Sequence, residues 1–240
     1  VPGMGEWEIQ SNVEGHFMKS KSTWSFPSIV GGGSNATVLH YKNNDCIVND
    51  GDLVLVDAGC EVHGYASDIT RTWPINGRFT EPQKEIYELV LKAEKSGIDA
   101  CQVGSPWGKM HRVVSEVIAQ GLIDLGVLEC SLEEALGDET KLDGPFRNFF
   151  MHGTGHFLGL DVHDVGGYKQ DGDWRELEKG MVMTVEPGIY ILDSLEDVDD
   201  KWKGIGVRIE DDIVITDSGF EVLTPNVPRT IEEVEHTVQG

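Results

Sequence analysis

Residues 50–73 read DGDLVLVDAGCEVHGYASDITRTW. Asp50-Gly51-Asp52 is a turn signal, and Leu53 to Cys60 is an apolar run that ends in a carboxylate, Asp57. Tyr65 to Trp73 is a second run, with Asp68 at its head, and Gly59 and Gly64 stand between the two. The pattern predicts an antiparallel hairpin. A strand-like apolar run does not carry an ionised carboxylate unless something cationic satisfies it.

The same anomaly recurs downstream. Met181-Val-Met-Thr-Val closes on Glu186, and Gly206-Val-Arg-Ile leads into Glu210. Between the two pairs, residues 151–166 pack three histidines and four glycines into one segment, with His152 and His156 four apart. Glycine lets backbone and ring approach a ligand closely, which raises His156 above the other histidines. Asp57, Asp68, His156, Glu186 and Glu210 thus form a candidate metal set, because hard divalent cations take oxygen ligands and a two-metal hydrolase needs about this many carboxylates. Period-two geometry adds Thr70 on the face of Asp68, Thr184 on that of Glu186 and Arg208 on that of Glu210, as donors that would orient the carboxylates. For the threonines, plain strand propensity explains the residue type equally well. His163 and His40 are candidate donors to a developing oxyanion; His16, His63, His111 and His236 read as ordinary core or surface histidines.

Outward from these strands the chain alternates with helices. An N-terminal helix is expected with Trp7, Ile9, Val13 and Phe17 as its apolar positions, followed by a Gly31-Gly32-Gly33 loop and a short strand at Thr37 to Tyr41. Thr80 with Gln83 forms a capping box ahead of Ile86, Leu89, Val90, Ala93 and Gly97. Ser105-Pro106 opens a helix whose stripe includes Met110, Val114 and Ile118, and Ser131 with Glu134 marks a shorter one. Continuous strands are expected at Met181–Ile191 and Gly206–Thr216, with charged loops at Tyr168–Lys179 and Asp193–Lys203. Helices mixed with antiparallel hairpins make the fold class α+β.

A length of 240 residues allows one large domain or two tightly joined halves. The formal net charge of −23 disfavours nucleic acid and anionic membranes as partners. Four cysteines without C-x-x-C pairing fit reduced thiols and a cytoplasmic location. Glu6, Glu8 and Glu14 occupy the stretch where a secretory segment would need apolar residues, and no apolar run is long enough to span a membrane. There is no G-x-S-x-G elbow, P-loop or H-E-x-x-H.

Six motifs together carry a specific resemblance: Asp57-Ala-Gly, Gly64-Tyr-Ala-Ser-Asp68-Ile-Thr-Arg-Thr-Trp, His152-Gly-Thr-Gly-His156, Leu160-Asp-Val-His163-Asp-Val-Gly, Val185-Glu186-Pro-Gly and Arg208-Ile-Glu210-Asp-Asp. They resemble the catalytic motifs of the Xaa-Pro aminopeptidases (aminopeptidase P), which belong with prolidase and methionine aminopeptidase to the pita-bread metallopeptidases. The resemblance runs from about Pro2 to about Thr224. It implies a pita-bread fold, in which two pseudo-symmetric halves with a curved antiparallel sheet flanked by helices enclose a pair of divalent ions. Manganese is the implied metal, with cobalt, zinc or iron as alternatives. Asp57 would bind one ion, His156 and Glu186 the other, and Asp68 and Glu210 both. The implied reaction releases the N-terminal residue from peptides with proline second, by attack of a metal-bridging hydroxide. In it Glu186 would shuttle the proton, His163 and His40 would steady the oxyanion and leaving nitrogen, and His152 would line the proline side. Prolidase activity on dipeptides is the alternative, followed by a non-catalytic peptide-binding module. Family members carry an N-terminal domain and a further helix ahead of the Pro2-Gly3-Met4 region. The expectation is therefore a single catalytic domain over residues 1–240 without them, with homo-oligomerisation left open.

Overall fold

In the computed structural model, which describes all 240 residues, the quoted stretch folds as its alternation requires. Helix α1 (Glu6–Lys19) and strands β1 (Thr23–Trp24) and β2 (Ile29–Gly32) precede it. The stretch itself supplies β3 (Leu53–Ala58), β4 (Cys60–Val62), β5 (Tyr65–Ala66) and β6 (Ile69–Pro74). β3 lies between β2 and β6 in an antiparallel sheet, with Asp57 in register with both Ile29 and Thr70. Leu53, Val54, Leu55 and Val56 are all buried, so the strand is apolar on both faces, as a central strand should be.

Helices α2 (Glu81–Ala100) and α3 (Gly108–Asp124) follow, then the short α4 (Leu132–Leu136). The α2 capping box is present, with the Thr80 N–H donating to Gln83 Oε1 at 2.9 Å. Ile86, Val90 and Ala93 of α2 join Val114, Ile118 and Leu122 of α3 in the main core. Ser105-Pro106 lies just ahead of α3, whose first turn begins at Gly108.

The chain ends in a small hairpin, β7 (Lys169–Gln170) and β8 (Asp173–Trp174), then β9 (Val182–Val185), β10 (Gly188–Tyr190), β11 (Gly206–Arg208), β12 (Asp211–Thr216), β13 (Gly219–Val222) and helix α5 (Ile231–Gln239). β9 pairs with β12 and β10 with β11, all antiparallel. The two long strands expected here are therefore each broken, at Glu186-Pro187 and at Ile209-Glu210. Proline cannot donate to a ladder, and at this level the backbone bonds elsewhere: the Glu210 N–H donates to Thr70 O at 3.1 Å. Thr72 Oγ1 donates to the Arg208 carbonyl at 3.0 Å, so β6 is stitched to the β11–β12 junction.

Three local expectations need correction. Gly31 and Gly32 are strand residues, in register with Leu55 and Val54. A Cβ at Gly31 would come within 2.9 Å of the backbone of Asn35 and Ala36, so this glycine serves close approach and not loop flexibility. Thr37 to Tyr41 is no strand; Gly33–Thr37 is a 3₁₀ turn and the chain beyond it runs irregularly to Val48. Trp7 is exposed, while Ile9 is buried and Val13 and Phe17 pack against the core beneath β3. No helix is long and apolar enough to cross a membrane.

Candidate metal centre

All the anticipated site residues except Thr70 and Thr184 line one cavity of about 540 Å³. Asp57 reaches it from near the end of β3 and Asp68 from the residue before β6. Glu186 and Glu210 reach it from the two strand breaks. His156 arrives on a segment without regular structure that runs beside β9. Its amide donates to Thr184 Oγ1 at 3.1 Å, its carbonyl accepts from the Thr184 N–H at 2.9 Å, and the Glu186 N–H donates to Thr154 O at 2.8 Å. Gly155 is required there, because a Cβ would run into the Thr184 carbonyl.

The charges brought together are not satisfied by one another. Asp57 Oδ1 and Asp68 Oδ1 are buried with no hydrogen-bond partner. Burial and the neighbouring carboxylates push Asp68 and Glu210 well above the usual carboxylate range, and burial pushes Glu186 up to about 7. His156 has its pKa lowered, first by burial, so its ring is neutral near pH 7. Its Nδ1 lies 3.0 Å from Phe157 O, which can only accept, so Nδ1 carries the proton. The lone pair is then on Nε2, 3.5 Å from Asp68 Oδ2 and 3.4 Å from Glu186 Oε1. Lone pairs facing lone pairs across that space repel unless a cation lies among them. Ligand atoms of Asp68, His156 and Glu210 all fall within 4.8 Å of one another, and the donor set of one imidazole and four carboxylates suits divalent metal. The residues fit the group.

Of the three donors, only Thr184 meets the carboxylate whose face it was expected to share; Thr70 meets Glu210 and Arg208 meets Asp57. Thr70 Oγ1 donates to Glu210 Oε2 at 2.6 Å and Thr184 Oγ1 lies 3.4 Å from Glu186 Oε1. Arg208 is buried and spans both halves: its NH2 meets Asp57 Oδ2 at 2.6 Å, its Nε meets Thr70 Oγ1 at 3.2 Å and its NH1 meets the Tyr190 hydroxyl at 3.0 Å. Its carboxylate partner is thus Asp57 of the quoted stretch.

Tyr190 was not singled out by the sequence; the only signal was its place in Glu186-Pro-Gly-Ile-Tyr190. Its hydroxyl fixes His152. His152 Nδ1 faces Gly153 O at 2.7 Å and carries the proton, so Nε2 accepts from the Tyr190 O–H at 2.8 Å while the Tyr190 oxygen accepts from Arg208. Burial lowers His152 to about 3, which keeps it neutral. His163 packs edge-on against His156, with ring centroids 4.3 Å apart, and His40 reaches the cavity from the irregular segment after β2.

A divalent-metal centre in an α+β frame of antiparallel strands defines a class, and the comparisons with known proteins agree. The chain belongs to metallopeptidase family M24, whose model matches residues 1–217. It is 50% identical to a Xaa-Pro aminopeptidase of Haemophilus influenzae over 98% of this chain and 53% of the relative's length. A human Xaa-Pro dipeptidase is 39% identical over 99% of this chain and 54% of its own length. The structure of Pseudomonas aeruginosa aminopeptidase PepP superposes with a TM-score of 0.95 at 49% identity, over 99% of this chain and 53% of that one. The fold is therefore the pita-bread fold expected from the motifs. The chain spans about half the length of the curated relatives it matches.

Proposed function

We propose that residues 1–240 form a single catalytic domain that uses two divalent ions, manganese foremost, to release the N-terminal residue from peptides with proline in second position. The observation that carries this reading is the pair of buried, partnerless oxygens on Asp57 and Asp68, beside a neutral histidine whose lone pair faces other oxygens of Asp68 and Glu186. Asp57 would hold one ion, His156 and Glu186 the other, and Asp68 and Glu210 both. Cobalt, zinc or iron would also suit the donors. When bound, the ions supply Lewis acidity toward the scissile carbonyl and lower the pKa of water.

The chain's own residues supply the rest. Glu186, facing the His156 ring at 3.4 Å on the cavity wall, would take and return the proton. His163 and His40, both on the cavity wall, would donate to the developing oxyanion and the leaving nitrogen. His152, locked between Gly153 O and Tyr190, walls the side where the proline ring would rest. Proline has no N–H for an enzyme to hold, so shape recognition of its ring must substitute. The higher identity to the aminopeptidase than to the dipeptidase supports the longer-peptide reading. Four free cysteines support a reducing compartment, the cytoplasm.

The test is hydrolysis of an Xaa-Pro tripeptide and an Xaa-Pro dipeptide by the manganese-loaded chain. Tripeptide cleavage is expected, abolished by chelation, by Glu186→Ala and by His156→Ala. Near-normal turnover by either loaded variant overturns the reading. Cleavage confined to dipeptides identifies a prolidase instead.

A further inference from the structure

Residues 33–48 bring Leu39, His40 and Lys42 to the cavity, yet their only regular structure is the 3₁₀ turn Gly33–Thr37. An irregular segment presents a ring reproducibly only if something outside it fixes its path. Here that is Glu6, the first residue of α1, whose side chain is fully buried.

Glu6 makes no salt bridge. Its Oε1 accepts from the Gly32 N–H at 2.8 Å and from Asn35 Nδ2 at 2.9 Å. Its Oε2 accepts from the Cys46 N–H at 2.9 Å and the Tyr41 hydroxyl at 3.0 Å. These donors bracket His40 in sequence, two before it and two after. The Glu6 N–H in turn donates to Cys46 O at 2.9 Å. A second buried anchor stands close by: Asn44, held at φ 48°, accepts from the Val30 N–H and donates to Ser28 O and to Gln10 of α1.

An ionised carboxylate is acceptor-only, with about four lone-pair sites; three N–H donors face it, and the Tyr41 hydroxyl shares its single proton between Glu6 Oε2 and Asp45 Oδ1, both at 3.0 Å. The arrangement draws its donors from both arms of the segment. It also makes the residue type specific. A glutamine at this position would turn its amide N–H toward either the Gly32 or the Cys46 N–H, which can only donate.

We propose that Glu6 is a positioning residue of the active site, whose buried carboxylate gathers both arms of the 33–48 segment and thereby sets His40 against the cavity. The inference rests on the role given to His40 above. Displacing a reacting group by about 1 Å can cost up to about 100-fold in rate.

The experiment is a double-mutant cycle on the manganese-loaded chain with an Xaa-Pro tripeptide, joined to hydrogen exchange. Glu6→Gln should lower kcat at least about tenfold with KM within about twofold, and should do almost nothing further in a His40→Ala background. Exchange should quicken across residues 33–48 and stay unchanged in α2 and α3. Asn35→Ala removes one donor to Glu6 and should show the same coupling at smaller size, which keeps the test available if Glu6→Gln does not fold. An equal fall of kcat in both backgrounds, or no fall, overturns the proposal. A His40→Ala variant with unchanged kcat removes the role of His40 itself, and the inference with it.

Discussion

Two clusters of buried carboxylates lie back to back in this molecule, and they are satisfied in opposite ways. On the cavity side, Asp57, Asp68, Glu186 and Glu210 face one another and a neutral histidine, with Arg208 as the one basic side chain bonded to them. On the far side, Asp211 is fully buried and fully bonded, meeting Arg71 at 2.6 Å, Arg229 at 3.0 Å and Thr224 Oγ1 at 2.6 Å; the buried Glu94 beside it shares Arg229 at 3.3 Å through Oε1, with Oε2 unpartnered. Glu210 and Asp211 are chain neighbours, and successive side chains point to opposite faces. One acid therefore carries its counter-charge in the sequence, while the next, in the proposed centre, would take a cation from solution. That contrast separates a structural acid from a ligand.

The comparison can be broken most severely at Asp211. Asp211→Asn leaves the buried Arg71 without its carboxylate and the half-buried Arg229 with only Glu94, and should cost about 3–5 kcal/mol in chemical denaturation. Added manganese should not restore the loss; restoration would mean that the two clusters are not distinct.

Glu210→Gln sharpens the contrast from the other side. It removes one of the mutually repelling charges and keeps an acceptor for Thr70. The metal-free variant should be more stable than the metal-free parent by about 1–2 kcal/mol at pH 8, and should lose the stabilisation that manganese gives the parent. A metal-free variant less stable than the parent contradicts the reading.

Glu94 gives the smallest effect, and it is a pH effect. Burial, then the Asp211 carboxylate, push Glu94 up to about 8 from an ordinary value of 4.5. A group whose folded pKa is raised stabilises the fold fully below its unfolded value, and that stability is lost as pH rises through the folded one. The window is thus about pH 4.5 to 8. Glu94→Gln should flatten the decline in stability between pH 5 and pH 9, measured by urea titration at both ends. An unchanged slope would show that Glu94 is ionised throughout.

Of the five candidate ligands, His156 was legible by its glycine setting, and the other four because each placed a carboxylate where an apolar strand pattern forbids one. Arg208 was legible for the same reason, although its partner, Asp57, lies 151 residues away and no local pattern names it. Thr184 followed from strand alternation, which marked Thr70 as a donor but not its partner, Glu210. What escaped reading was held by distant contacts. The 33–48 segment looked like glycine loop plus strand because its real determinants, Glu6 and Asn44, lie outside or beyond that pattern. Tyr190 looked like one more apolar strand residue. The broken strands at Glu186 and Glu210 read as continuous because the break serves the site and not the ladder.

The stitching of β6 to the β11–β12 junction has a consequence in time. Thr70 and Glu210 meet across 140 residues of chain, so the centre cannot exist until the hairpin of the first half has docked on strands from near the other end. Affinity for the ions is then gained only on completion of folding, and bound ions hold together elements that must part for the chain to open. Lifetime in the native state, more than equilibrium stability, is where occupancy of the site should register.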